Sequence, residues 1–250
     1  MKCRFIDTGE GRAYWNMGLD ESVLQHVSEG KSPPTLRFYW WAPPAVSVGY
    51  FQSLREEVDA DACYRGGVDI VRRITGGGAV YHDRELTYSY IAPEDSVPDD
   101  ILESYRLVCG GLVEGFRLLG VKSEFAPLND ILAGGKKISG NAQTRRMGCV
   151  LQHGTVLLDV DVRRMFSLLK VPSEKMRDKA VAEASGRVTS LRDVLKSDVP
   201  YSKAADSFRR GFAKALKLNL VEGEPSEGEL RLAQMLCDCK YSTLEWNDRR

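Results

Sequence analysis

The spacing of apolar side chains changes period several times along the chain, and each change predicts an element. Between Ala13 and Val27, Trp15, Leu19 and Val23 recur every fourth residue with Leu24 beside them. This is one face of an amphipathic helix, with Asp20 and Glu21 falling outside it. Ser32-Pro33-Pro34 stops the pattern. Thr35 to Trp41 and Ala45 to Tyr50 read as strands around a Pro43-Pro44 turn, and Leu54 to Tyr64 reads as a short helix ended by Gly66-Gly67. Val68 to Ile74 and Leu86 to Ile91 are further strands. Ile101 to Leu119 is a helix capped by Asp100, stopped by Gly120, with Leu102, Tyr105, Val108, Cys109, Leu112, Phe116 and Leu119 on one face.

The second half repeats the change of period. Leu128 to Leu132 and Lys136 to Ser139 flank Gly134-Gly135 as a hairpin, and Asn141 to Arg146 and Cys149 to Leu158 form another. Helical spacing then returns over Val162 to Lys170, Ser190 to Lys196, Ser202 to Leu216 and Glu227 to Cys239. Ser226 and Glu229 stand at capping-box spacing. Cys3 to Ile6 is a short N-terminal strand. Strands dominate the first and middle parts and helices the end, without sustained helix–strand alternation. The predicted fold is α+β, a mixed, mainly antiparallel sheet with flanking helices, in one domain over residues 1–250.

Composition narrows the function by exclusion. Thirty-five basic and 35 acidic residues cancel, so no global field favours nucleic acid or an anionic membrane. No apolar run approaches the ~20 residues of a membrane span, and the charged start of the chain is not a secretory leader. The expected compartment is the cytoplasm, with the six cysteines as reduced thiols. Neither those cysteines nor the three histidines show zinc-ligand spacing.

Three stretches carry candidate chemistry. In Arg72-Arg73-Ile74-Thr75-Gly76-Gly77-Gly78-Ala79-Val80-Tyr81-His82-Asp83, three glycines free the backbone to present N–H groups to an anion, with two guanidinium groups just before them. The glycines alone favour a plain, loose hairpin with a glycine-rich turn. Neither common phosphate-loop pattern is present, because the loop leads into a strand. Around Gly135-Lys136-Lys137, a hairpin sends the two lysines to opposite faces, so one can reach a cleft while the other meets solvent; a solvated basic turn is the commoner reading of Gly-Gly-Lys-Lys. Leu151-Gln152-His153-Gly154-Thr155 places a histidine in a strand, more often a structural position than a catalytic one.

Taken in order, these stretches, with Trp15-Asn16-Met17, Gly49-Tyr50-Phe51-Gln52, Asn129-Asp130-Ile131, Arg187-Val188-Thr189-Ser190-Leu191 and the segment Lys240 to Trp246, resemble lipoate–protein ligase A over nearly the whole chain. The resemblance implies the biotin and lipoate ligase catalytic fold and a two-step reaction. Lipoate or octanoate is activated with ATP and Mg²⁺ to the acyl-adenylate. The acyl group then passes to a lysine of lipoyl domains, as in 2-oxoacid dehydrogenase E2 subunits and the glycine cleavage H protein. By the same resemblance Lys137 is catalytic. Arg73, Thr75, Gly76, Gly77, Gly78, Ala79, Val80, Tyr81, His82, Asn129, Asp130, Lys137 and Gly140 hold the adenylate, with Asp130 reaching Mg²⁺ through the nucleotide. Gly49, Tyr50, His153 and Gly154 border the lipoyl chain, and residues Lys175 to Arg187 form a loop over the intermediate. Many family members continue into a small accessory domain. The stop at Arg250 implies a catalytic domain without it and a separate accessory polypeptide for adenylation.

Two other readings compete with the ligase. An octanoyltransferase moves the acyl group between carriers without ATP, and one branch uses a cysteine in an insertion ahead of the Asn-Asp region. Val121 to Leu128 is short and has no cysteine, and neither Cys109 nor Cys149 reads as an exposed, activated thiol, which favours the ligase. A non-catalytic carrier-binding subunit ranks lower, because Arg73, the glycines and Lys137 are all present.

Overall fold

The computed structural model describes residues 1–170 and 174–249, and the side chains of residues 174, 175 and 177 lie outside that description. The chain opens with strand β1 (Lys2–Gly11) and helix α1 (Ala13–Ser28). Strands β2 (Thr35–Trp41) and β3 (Ala45–Val48), short helices α2 (Leu54–Glu57) and α3 (Ala60–Arg65), and strands β4 (Asp69–Arg72), β5 (Val80–His82) and β6 (Glu85–Pro93) follow. Helix α4 (Ile101–Leu118) precedes β7 (Ser123–Ala126), β8 (Asp130–Ala133), β9 (Lys136–Arg146) and β10 (Cys149–Leu157). The last part holds α5 (Val162–Leu168), α6 (Glu174–Arg187), α7 (Leu191–Leu195), α8 (Tyr201–Ala215), β11 (Asn219–Glu222), α9 (Glu227–Leu236) and α10 (Leu244–Asn247).

Eight strands form one sheet in the order β11-β1-β2-β6-β10-β9-β8-β7, and β4-β3-β5 form a second. Pairing is parallel at β11/β1, β1/β2 and β3/β4, and antiparallel elsewhere, so the α+β, mainly antiparallel architecture stands. Period-two alternation explains how the large sheet is covered on both faces. Leu36, Phe38, Tyr88 and Tyr90 pack with Val108, Leu112 and Phe116 of α4 and Phe208 and Phe212 of α8. Their neighbours Tyr39, Trp41, Ile91 and Leu151 pack with Met17, Leu19, Val23 and Leu24 of α1. Helices α4 and α8 meet through glycine. A Cβ on Gly211 would lie 2.4 Å from the Gly111 carbonyl oxygen, so the two backbones touch.

Two expectations are corrected. The triple-glycine stretch is not a hairpin, because β3 lies between β4 and β5 and pairs with both. Residues Glu174–Arg187 are helical rather than a loop. Their sequence lacks apolar periodicity, but it is rich in Glu, Lys, Arg and Ala, which carry high helix propensity. The side chain of Lys175 lies outside the described residues.

The C-terminal turn is tied to the small sheet. Asn247 Oδ1 accepts from the Arg72 amide at 2.6 Å, the Asn247 carbonyl accepts from Arg72 Nη2 at 2.8 Å, and Trp246 Nε1 donates to the Arg72 carbonyl at 2.8 Å. Arg72 Nη1 also donates to the carbonyls of Gly49 and Gln52. Its guanidinium therefore serves the backbone rather than the cleft.

Candidate functional site

The strand β4 ends at Arg72, and the next seven residues carry the chain to β5. Arg73 turns its side chain back under this loop. Nη2 donates to the carbonyls of Gly76 (2.8 Å) and Gly78 (2.7 Å), and Nη1 donates to Ser47 O and Oγ. With those carbonyls tied below, the amides of Gly77 and Gly78 donate no backbone hydrogen bond among the described residues. Gly77 has a φ of +95°, open to glycine at little cost. Gly49, the residue after β3, presses on it: a Cβ there would lie 2.0 Å from the Gly77 carbonyl oxygen.

The loop forms one wall of a cavity of about 290 Å³, near the lower end of ligand sites at roughly 300 Å³. Polar and cationic groups at its mouth and floor include Arg73, Lys137, His82, His153 and Ser47. Met17, Trp41, Val80, Leu157, Met165 and Val188 supply apolar wall. Among the described residues no carboxylate lines it. Arg73 is 5 % exposed with no acidic partner among the described residues, and burial brings its pKa down to about 10. It is still a cation at neutral pH and brings a buried positive charge to the cavity wall.

Lys137 reaches this cavity for the reason the sequence implied. It follows Lys136 in β9, and the pleat sends Lys136 outward to the Ser185 carbonyl (3.3 Å) while Lys137 turns inward. Its Nζ lies 2.8 Å from Asp130 Oδ1, and the Lys137 side chain as a whole is 41 % exposed. Gly140 gives the amine room, since a Cβ there would lie 2.8 Å from Nζ. Asn129 is locked to Asn141 by reciprocal amide–carbonyl hydrogen bonds, and Asn141 Oδ1 also accepts from the Tyr88 hydroxyl at 2.8 Å.

The structure thus brings Arg73, Gly77, Gly78, Ala79, Val80, Tyr81, His82, Asn129, Lys137, Gly140, His153 and Gly154 to one cavity. Thr75 stands behind the loop, where its Oγ1 meets His153 Nε2 at 2.7 Å. Gly76 faces the ring of the exposed Phe51. Gly49 and Tyr50, expected along the acyl chain, do not line the cavity. Gly49 buttresses the loop, and Tyr50 lies outside between Arg146, Arg249 and Trp246. Asp130, expected at Mg²⁺, is taken by Lys137, and no cluster of three metal-ligating side chains occurs among the described residues.

Sequence reasoning missed a buried charge network behind His153. Asp20 accepts from Arg37 Nη1 (2.7 Å), Ser89 Oγ (2.8 Å) and the Tyr39 hydroxyl (3.0 Å), and its Oδ2 lies 3.4 Å from His153 Nδ1. Burial alone would raise the Asp20 pKa, but Arg37, His153 and Ser89 together hold it below the usual carboxylate range. Burial holds His153 below its ordinary value, which Asp20 only partly offsets. The helical pattern of α1 placed Asp20 outside the apolar face, so only an aspartate-bearing helix opposite a strand arginine hinted at the pair. A second network, Ser47–His82–Glu85, was also unforeseen.

Among the described residues none of the six cysteines lines the cavity. Cys109 lies buried on α4 with its thiol near Gln152 Nε2, and burial pushes its pKa up to about 12.

A family model for the lipoyl protein ligase A/B catalytic domain matches residues 12–213. A curated protein of Anoxybacillus flavithermus named octanoyltransferase LipM is 38 % identical, over 99 % of this chain and 98 % of its own. Relatives from other bacteria at similar identity have the same name. A solved structure described as a bipartite lipoate protein ligase of Thermoplasma acidophilum with its E2 lipoyl domain superposes with a TM-score of 0.92 at 35 % identity. It covers 99 % of this chain and 96 % of that one. A lipoate–protein ligase A crystallised with ATP gives a TM-score of 0.87 at 33 % identity, covering 99 % of each chain.

The octanoyltransferase names overturn the expected ATP-dependent ligase. With it ATP and Mg²⁺ lose their support, and the comparisons do not show an accessory polypeptide. By the match over residues 12–213 and the likeness along its full length, the chain belongs to the lipoyl protein ligase A/B catalytic-domain family.

Proposed function

We propose that the chain is an acyltransferase that moves an octanoyl group from a carrier thioester to a lysine ε-amine of a lipoyl domain, without ATP. The observation that carries this reading is the end-to-end likeness to octanoyltransferases, joined to an apolar-walled cavity lined by Lys137 and by two glycines whose amides donate no backbone hydrogen bond among the described residues. A thioester is already activated, so no adenylate is needed. The work left to the protein is to seat the apolar chain, exclude water and stabilise charge on the carbonyl oxygen.

The residues suit those tasks. Whatever atom attacks, the carbonyl oxygen becomes an oxyanion in the tetrahedral intermediate, and preorganised donors there lower the barrier. Lys137 and the amides of Gly77 and Gly78 would be those donors, and Arg73 would hold the glycine loop in shape. Trp41, Val80, Leu157 and Met165 would cover the alkyl chain. Lipoyl domains of 2-oxoacid dehydrogenase E2 subunits and the glycine cleavage H protein are the proposed acceptors.

The test incubates the chain with an octanoyl-carrier thioester and an unmodified lipoyl domain, and reads the mass of the lipoyl domain. Modification without nucleotide, lost in Lys137→Ala, is the expected result. Modification that requires free acid plus ATP would overturn the reading.

A further inference from the structure

We propose that Ser47 receives the acyl group in transit, with His82 as its base and Glu85 orienting that base; this rests on the acyl-transfer reading. Three side chains from three strands form a continuous relay. Ser47 Oγ lies 2.8 Å from His82 Nε2, and His82 Nδ1 lies 2.7 Å from Glu85 Oε1. A nucleophile within hydrogen-bond reach of a base, which a third group orients, is the constellation of covalent acyl transfer. The carboxylate fixes the tautomer: Nδ1–H donates to Glu85, so Nε2 accepts from the Ser47 hydroxyl.

The imidazole has little freedom. It stacks on Trp41 with centroids 4.0 Å apart and planes 16° from parallel. Trp41 Nε1 donates to Thr87 Oγ1 at 2.8 Å, and Thr87 donates to the same Glu85 oxygen at 2.8 Å. Glu85 Oε2 is buried with no hydrogen-bond partner among the described residues, so its sister oxygen's contacts to His82 and Thr87 are what hold this side chain. Arg73 Nη1 donates to Ser47 Oγ at 3.0 Å, which favours alkoxide character on that oxygen. Ser47, His82 and Arg73 face the same cavity as Lys137, in which no cysteine offers an alternative among the described residues.

The step balances. Ser47 Oγ attacks the thioester carbonyl carbon as His82 Nε2 takes the hydroxyl proton. The C–S bond breaks, the departing sulfur takes that proton, and an octanoyl ester remains on Ser47. The acceptor lysine amine then attacks the ester carbon and yields a proton to His82. The C–O bond breaks, and Ser47 Oγ recovers the proton. Thioester and amine become thiol and amide.

The test uses the intact chain and the octanoyl thioester of pantetheine with no acceptor, quenched in acid and read by intact mass and peptide mapping. The expected result is one octanoyl group on Ser47, absent in Ser47→Ala, whose transfer to a lipoyl domain falls at least ~100-fold. Ser47→Cys keeps the covalent intermediate as a thioester labile to neutral hydroxylamine, which separates loss of the nucleophile from loss of folding. Glu85→Gln moves the pH profile of acylation. If wild type transfers octanoyl to the lipoyl domain while Ser47→Ala does so undiminished, Ser47 is not the carrier and the transfer reading stands. If wild type neither acylates itself nor transfers from the thioester, both fall.

Discussion

Replacing Asp20 by Asn keeps the shape of a buried side chain and removes its charge. In the native fold the Arg37 guanidinium is fully buried and Asp20 is its sole acidic neighbour among the described ion pairs, 2.7 Å away. The remaining acceptors around Arg37 are neutral: Asn16 O at 3.0 Å, Asn16 Oδ1 at 2.8 Å and Thr8 Oγ1 at 3.0 Å. They satisfy the guanidinium donors but not its charge. Breaking a buried pair from one side costs about 3–5 kcal/mol, a large part of a total stability of roughly 5–15 kcal/mol. For a chain of this size that lowers the melting temperature by roughly 10 °C.

Urea unfolding of wild type and Asp20→Asn measures the difference directly. The double variant Asp20→Asn with Arg37→Met should recover much of the loss, because it removes the stranded charge. The acid limb tests the same account. Asp20 titrates lower in the fold than in the unfolded chain, so its contribution is full above the unfolded carboxylate pKa and is lost as pH falls through the folded one. Asp20→Asn should therefore flatten stability against pH in the acid range. A loss below about 1 kcal/mol, the size of a surface pair, would refute the reasoning, since no buried unpaired cation could then have been created.

Other expected outcomes follow from single contacts. Lys137→Ala should lower octanoyl transfer by about 10²–10³-fold, the cost of one oxyanion donor. Its half-exposed contact with Asp130 should cost under ~1 kcal/mol in unfolding experiments. Gly140→Ala puts a methyl where the Lys137 amine sits, so steady-state transfer should fall while the melting curve is nearly unchanged. Gly49→Ala drives a Cβ into the Gly77 carbonyl, a backbone clash that no rotamer relieves. It should cost about 1–3 kcal/mol by denaturant titration and impair transfer together. His153 is held neutral by burial, whereas the unfolded residue takes up a proton near pH 6.5. Stability should fall as pH drops through that range, and His153→Gln should reduce the slope.

Local pattern made much of the fold legible. The apolar face of Ile101–Leu118 and the period-two strands at Thr35–Trp41 and Cys149–Leu157 are where the structure has them, because each buries its face along its length. Strand β11 was not visible. Asn219–Glu222 is short, mostly exposed, and becomes a strand by pairing with residues more than two hundred positions away. The glycine loop, Lys137 and their convergence on one cavity could be read, since pleat alternation and ordered motifs both point there. Asp20, Arg37, Ser47 and Glu85 could not. Each is a polar residue whose role exists only when a distant strand or helix supplies its partner. The choice between ligase and transferase was beyond the motifs, because both reactions need an oxyanion cradle over an apolar slot.

The bond set around Arg72 joins two places that look unrelated. Its amide, carbonyl and guanidinium are held by Trp246 and Asn247, while Arg73 beside it grips the glycine loop from below. The final helical turn thus works as a bolt for the base of the glycine loop. Any protein that grasps or unseats that turn, or a protease that trims it, would loosen the loop without entering the cleft, and a substrate seated in the cleft would in return shield the tail from cleavage.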